Sequence, residues 1–206
     1  MSKTTIPTGG ITADAINGTL IADDAIDSEH YTDGSIDTAH IGDSQVTSAK
    51  TSGVGGANTP AFLARLSSTT QSISNDTYTK IQFNTEEYDT ANAYDNSGNY
   101  RFTVPSGEGG KYFFTYSVGA LALANSNMDY TYVYLYKNGS NFVEQALDLR
   151  SNPARSVTVK GSVILDLSAS DYIELYTNIN DNSGSPRING SGVIVTYLGG
   201  YKLIGV

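Results

Sequence analysis

The sequence predicts an all-β chain in two unlike parts: an N-terminal repeat segment that draws its core from other copies, and a C-terminal β-sandwich. Three observations carry this. One apolar position recurs every fifth residue from 6 to 46. Beyond residue 60, short runs of alternating apolar and polar residues follow one another between Gly, Asn and Asp turn signals. With 21 Gly, 15 Tyr, no Trp and no Cys in 206 residues, the composition is that of many turns and many half-buried aromatic strands.

The ladder reads Ile6, Ile11, Ile16, Ile21, Ile26, Tyr31, Ile36, Ile41 and Val46. Small residues fill the gaps, with Asp14, Asp23, Asp24, Asp27, Asp33, Asp37 and Asp43. On an α-helix five residues carry a side chain about 140° past its predecessor, which scatters the row around the cylinder. On a straight strand an odd spacing sends successive residues to opposite faces. The row can be buried only where the chain bends or winds once per pentad, and such repeats stack as rods.

Two rods fit. In one, three identical chains wind about a common axis, each giving one apolar residue per pentad. In the other, a single chain coils as a pentapeptide-repeat β-helix. The coil prefers a small residue two places before the apolar one, and here that place holds Gly9, Asp14, Thr19, Asp24, Glu29, Gly34, Ala39 and Ser44, a partial match. A couple of coils also bury too little to offset the ordering entropy of a lone chain. The trimeric rod is therefore preferred, with Ile11, Ile16, Ile21, Ile26, Tyr31, Ile36, Ile41 and Val46 as its axial core; a disordered acidic tail is the competing reading.

Charge narrows the partners. Residues 1–50 carry eight acidic and two basic side chains, residues 51–206 thirteen and ten, for a formal net charge of −9. Without a basic patch, phosphate neutralisation on a nucleic acid is not expected, and an acidic rod repels anionic membrane surfaces. Zero Cys removes disulfides, thiolate zinc sites and cysteine nucleophiles together. The start, MSKTTIPTGG, has no apolar core of a signal peptide, and no stretch reaches membrane-spanning length. A soluble chain without Sec export is expected.

In order, residues 1–10 form a short polar anchor peptide and 11–50 the pentad shaft or arm. Residues 51–60, TSGVGGANTP, form a linker, and 61–206 the head. Within the head, strands are expected over 61–67, 78–85, 100–104, 111–118, 130–136, 157–167, 172–178 and 193–198. Asp95-Asn96-Ser97-Gly98 and residues 105–110 read as turns, and Asn138-Gly139 is the strongest two-residue hairpin signal in the chain. No amphipathic helix stands out. So many short strands in about 145 residues make a sandwich or jelly roll.

Several ordered motifs then resemble the globular head of complement one-q and its tumour-necrosis-factor-like relatives. They are Gly98-Asn99-Tyr100-Arg101-Phe102-Thr103-Val104-Pro105 followed by Gly110-Lys111-Tyr112-Phe113-Phe114; Leu135-Tyr136-Lys137-Asn138-Gly139; and residues 161–167 followed by Ala169-Ser170-Asp171 and 173–175. The last strand departs from the pattern: 193–198 reads VIVTYL and an extension follows to 206. The resemblance implies a ten-strand jelly roll packed as a trimer, with Phe62, Phe102, Pro105, Tyr112, Phe114, Leu135, Leu165 and Leu167 as its core. Residues 21–30 and 34–41 resemble repeats of phage virion fibres. Both halves thus call for three-fold symmetry.

Site chemistry is sparse. A Ser-His triad would need His30 or His40, both placed in the repeat, and the Glu86, Glu87, Asp89 cluster suits an exposed loop better than a glycosidase pair, so no enzyme is expected and no catalytic residue is assigned. His30 and His40 would each occur three times at one height of a trimer and could ring a metal, against the plainer reading of exposed polar histidines. No cofactor is expected, with Ca²⁺ at the trimer head weighed on Glu87, Asp89, Asp95 and Asp181. Tyr132, Tyr134 and Tyr136 share one strand face, read as packing, while the loops 92–99, 125–129 and 178–187 could recognise a receptor.

The expected function is a homotrimeric fibre or spike of a bacteriophage virion. It is assembled in the host bacterial cytoplasm, joined to capsid or tail proteins through its N-terminus, and presents its head to a host-surface glycan or receptor. A capsid decoration or cement protein is the alternative.

Overall fold

The computed structural model describes residues 7, 9–12, 19, 21, 26, 28–43, 45, 46, 50, 58–67 and 69–203. The chain divides into two compact units, Met1–Ser52 and Gly53–Val206. Ile6 and Ile16 of the ladder lie outside the described residues. In the first unit the described residues hold one 3-10 turn, Ser28–His30. Among the described residues no helix is long and apolar enough to cross a membrane.

The second unit is an antiparallel sandwich. Its first sheet contains β1 (Ala61–Arg65), β2 (Gln71–Ser72), β4 (Thr85–Asp89), β7 (Gly110–Leu121), β10 (Ser156–Leu167), β12 (Arg187–Ile188) and β13 (Tyr197–Lys202). Its second contains β3 (Thr79–Lys80), β5 (Tyr94–Asp95), β6 (Arg101–Thr103), β8 (Met128–Lys137), β9 (Ser140–Asp148) and β11 (Tyr172–Asp181). In the first sheet β10, β7, β13, β1 and β4 lie side by side, and β12 and β2 extend the far end of β7. In the second, β6, β11, β8 and β9 are neighbours, with β5 on β6 and β3 on β11. The described residues make thirteen strands where the resemblance implied ten; four of them, β2, β3, β5 and β12, are pairings of only two residues, and the other nine form the body of the two sheets.

The core is an aromatic slab between the sheets. Phe62 of β1 stacks on Phe102 of β6 at 4.8 Å, and Phe102 meets Phe114 of β7 edge-on at 5.7 Å. Phe62, Phe102, Tyr112, Phe114, Leu135, Leu165 and Leu167 are all buried, whereas Pro105 is only half-buried, next to the exposed turn 106–107. Gly161 shows why a strand glycine sits in the Gly-x-x-x-Leu-x-Leu run: a Cβ there would lie 2.3 Å from the hydroxyl of Tyr116, whose buried ring crosses it.

Local signals read correctly include Asn138-Gly139, both at positive φ (52° and 78°), closing the hairpin of β8 and β9. The turn after Asp95 is held by its carboxylate, which accepts from the amides of Ser97, Gly98 and Asn99. Two strands were displaced. Only Thr79–Lys80 of the span 78–85 pairs before β4; the Gln82 amide donates to the side chain of Gln71 instead of a ladder, while Ile81 and Phe83 still point into the core. Likewise 193–196 is not strand: Val193 is 70% exposed, and the last strand begins at Tyr197. β11 runs on to Asp181, shortening the loop expected over 178–187.

Asp171 ties the hairpin to the next turn. Its carboxylate accepts from the Asn138 side chain at 2.7 Å, from the Ser168 amide at 2.9 Å and from Lys137 at 3.1 Å. The Asn138 bond foremost, then the Ser168 amide and Lys137, hold its carboxyl below the ordinary value. A carboxyl so depressed adds stability that is complete above its unfolded pKa and is lost as pH falls through its folded one. Asp171→Asn is expected to cost about 1–2 kcal/mol at neutral pH. The wild-type advantage should shrink below about pH 4, seen in denaturant midpoints from pH 7 to pH 2. Phe102→Ala is expected to lose about 3–5 kcal/mol in thermal melts, while truncating the exposed Phe142 to Ala stays within about 0.5 kcal/mol.

Candidate functional site

The ladder of the first unit is uncovered within one chain. Ile11, Ile21, Ile26, Tyr31, Ile36, Ile41 and Val46 are between 37% and 51% exposed. Between them the backbone turns: amide-to-carbonyl bonds run from Gly10 to Pro7, Ser35 to Thr32, His40 to Asp37 and Gln45 to Gly42, each spanning three residues. Every one of these turns starts directly after one ladder position and ends directly before the next. This is the bend per pentad that an odd apolar spacing demands, and it places the apolar side chain at each corner between turns.

The outward face of the first sheet is apolar. Leu63 of β1 lies between Tyr88 of β4 and Gly199 of β13, and Phe113 of β7 lies between Tyr201 of β13 and Ile164 of β10. Tyr88 is 50% and Ile164 58% exposed, and the rings of Phe113 and Tyr201 sit 5.5 Å apart. The missing side chain at Gly199 opens a shallow apolar hollow of about 320 Å³. Sequence reading passed over this face. Its signal was present in the consecutive apolar pairs Phe113-Phe114 and Ile164-Leu165, since neighbours in a strand face opposite ways.

The outward face of the second sheet is tyrosine. Tyr130, Tyr132, Tyr134 and Tyr136 follow one another along β8, with neighbouring rings 5.4, 6.0 and 6.5 Å apart. Tyr176 of β11 stacks on Tyr136 at 4.3 Å, and Tyr78 leans on Tyr134 at 5.0 Å. Desolvation first, and the Tyr78 hydroxyl second, push the Tyr134 hydroxyl far above the ordinary value. Beside this row the buried Glu174 takes a 2.6 Å bond from Lys80, whose ammonium lies 5.7 Å over the Tyr176 ring. The partnership with Glu174 outweighs desolvation and holds the ammonium above its usual range.

The carboxylates weighed for calcium are spread out and engaged. Asp89 accepts from the amides of Ala91 and Tyr94, Asp181 from Leu123 and Ser183, and Glu87 from Arg65. The amides of Gly98, Ser97 and Asn99 pull the Asp95 carboxyl far below the carboxylate range, which marks a knotted turn. His40 pairs with Asp37 at 2.8 Å. Among the described residues no group of three or more His, Asp or Glu side chains is placed to hold a metal ion. Neither histidine lies in the head.

Comparison with known proteins bears on the head. The family model of the C1q domain matches residues 61–200. The globular domain of zebrafish complement 1qA protein is 15% identical over 70% of this chain and 97% of that one, with a TM-score of 0.48. Eiger, a TNF from S. frugiperda, is 14% identical over 70% of this chain and 93% of that one, with a TM-score of 0.51, a likeness of fold. No curated protein matches the chain. C1q and TNF domains are typically binding or structural modules without enzymatic activity, and they commonly form homotrimers. Residues 61–200 span both sheets from β1 into β13, and on that ground the chain belongs to the C1q domain family.

Proposed function

We propose that this chain is a homotrimeric structural protein of a bacteriophage virion, anchored to capsid or tail through its N-terminus and presenting its C1q head for host-surface attachment. The observation that carries the reading is the uncovered ladder: seven described apolar corners, one per pentad, each well exposed in a single chain. Covering half of an Ile side chain contributes about 1 kcal/mol, so a shared axial core supplies several kcal/mol per chain. The apolar outward face of the first sheet adds a second surface for a neighbouring copy to cover, and a C1q head is suited to three-fold packing. Three heads on one axis then offer three identical sites, whose avidity exceeds that of any one site. No cofactor is needed for this role.

A second reading, a decoration protein laid on the shell, draws on the repeat itself. Four of the pentads close a turn among the described residues, which shortens their reach and suits an arm better than a long stalk.

Sedimentation equilibrium of the full chain is expected to give three times the 21.9 kDa chain mass. Ile36→Asp with Ile41→Asp should shift the material toward smaller species while the far-UV β signal of the head persists. A folded single subunit with an ordered leader would remove the basis of the trimer. Gold-labelled antibody on intact particles separates the two roles: label at the tail or on outward spikes supports attachment, and label spread evenly over the capsid lattice supports decoration.

A further inference from the structure

The tyrosine face does more than pack. Where Tyr78 from the segment before β3 leans over β8, it closes one side of an open groove of about 580 Å³ whose walls include Tyr132, Tyr134, Glu144 and Arg150. At its floor lies Asn178 of β11, opposite Tyr132. Asn178 is 5% exposed and its Oδ1 meets no hydrogen-bond donor, one of four such buried atoms among the described residues and the one that lines this groove. A buried acceptor held that way is unfavourable until a donor reaches it. The rings of Tyr132 and Tyr134 are nearly parallel, at 9° and 6.0 Å. Tyr78 is 58% exposed, so its ring can yield to an entering group.

We infer that this groove binds a neutral or acetamido-substituted oligosaccharide, one copy per subunit. This rests on the attachment reading above and gives it a site and a ligand class. The chemistry of the lining selects the class. Flat C–H faces of pyranose rings stack on the electron-rich faces of Tyr rings, which carry a negative quadrupole. The polar groups are mostly acceptors in want of hydroxyl donors: Asn178 Oδ1, the Glu144 carboxylate, and Asp76, which already takes a 2.6 Å bond from the Tyr130 hydroxyl. Asp148 pairs with the Arg150 guanidinium, the one cation of the lining, while the lining carries two carboxylates of its own, Asp76 and Glu144. That excess of negative charge disfavours uronic, sialic and sulfated sugars. The volume falls within the range of small-ligand sites. A trimer closing on the outward face of the first sheet leaves this face, on the opposite side of the sandwich, open.

The test places the full-length chain on an array of neutral, acetamido-substituted and acidic bacterial-surface oligosaccharides. Wild type is expected to bind neutral and acetamido members and to leave acidic ones blank. Tyr132→Ala and Tyr78→Ala should each weaken binding roughly tenfold or more, the worth of one lost aromatic stack. Tyr132→Phe, which keeps the ring, should retain most of it. Melting temperature and sedimentation are measured on every variant, and Tyr78→Ala, at an exposed position, guards against a folding artefact at Tyr132. Undiminished binding by both Ala variants would put the sugar elsewhere on the head and overturn the groove while leaving attachment standing. Preference for acidic sugars would overturn the ligand class. Wild type that adheres to host cells after periodate treatment but not after protease digestion would overturn the saccharide and point to a protein receptor. Binding to neither array nor cells would overturn groove and attachment together.

Discussion

The stack of Phe62, Phe102 and Phe114 is the constraint on which the head depends. It draws β1 and β7 of one sheet onto β6 of the other, with ring centroids within 6.4 Å of each other. Side chains alternate along a strand, so fixing which residues point inward fixes which point outward, and a slip of one residue would exchange the two sets. Phe114 inward makes Phe113 outward; Leu165 inward makes Ile164 outward; Val133 and Leu135 inward set the tyrosines of β8 outward. The apolar outward face of the first sheet and the tyrosine face of the second are therefore both set by the core.

In the repeat the governing quantity is the phase between turns and apolar residues. The turn bonds lie at 7–10, 32–35, 37–40 and 42–45, always between ladder positions. A turn of four residues plus one apolar corner returns a side chain to an equivalent place every five residues. Asp and Gly suit it for different reasons. At Gly34 the backbone is at φ 78°, which costs glycine little. Asp37 uses its carboxylate to accept from the Ala39 amide and from His40 within its own turn. The acidity of the segment thus comes partly from turn construction rather than from a ligand site.

Much of the head was legible because its signals are local. Asn138-Gly139, the Asp95 turn and the alternation of β7, β8 and β10 need only neighbouring residues to be read. What failed depended on distant ones. The run Val193-Ile194-Val195 has high strand propensity, yet the strand is Tyr197–Lys202, with two glycines in its middle. A Cβ at Gly200 would stand 2.7 Å from the Phe114 ring, so the glycine is where an aromatic from the paired strand takes the space. Propensity cannot register that exchange. The span 78–85 was read as one strand because Ile81 and Phe83 alternate, although past the Ile81 amide, which bonds to Leu175, the Gln82 amide turns to the Gln71 side chain. The groove beneath Tyr78 was illegible for the same reason: Tyr78 and Tyr134 are 56 residues apart in the chain and meet only through β11.

The two outward faces differ in a way their side chains explain. Leu63, Phe113 and Ile164 have nothing to offer water, and their exposure favours a covering partner. Tyrosine presents a ring to a neighbour and a hydroxyl to solvent, so Tyr130, Tyr132 and Tyr136 on β8 can stay partly wet at little cost while Tyr78 covers Tyr134 between them. One sandwich can therefore devote one sheet to self-association and the other to recognition without compromise between them. Among the described residues, Asn178 Oδ1 is the buried side-chain acceptor on this outward side that no donor meets, because the tyrosine rings beside it, rather than water, cover it.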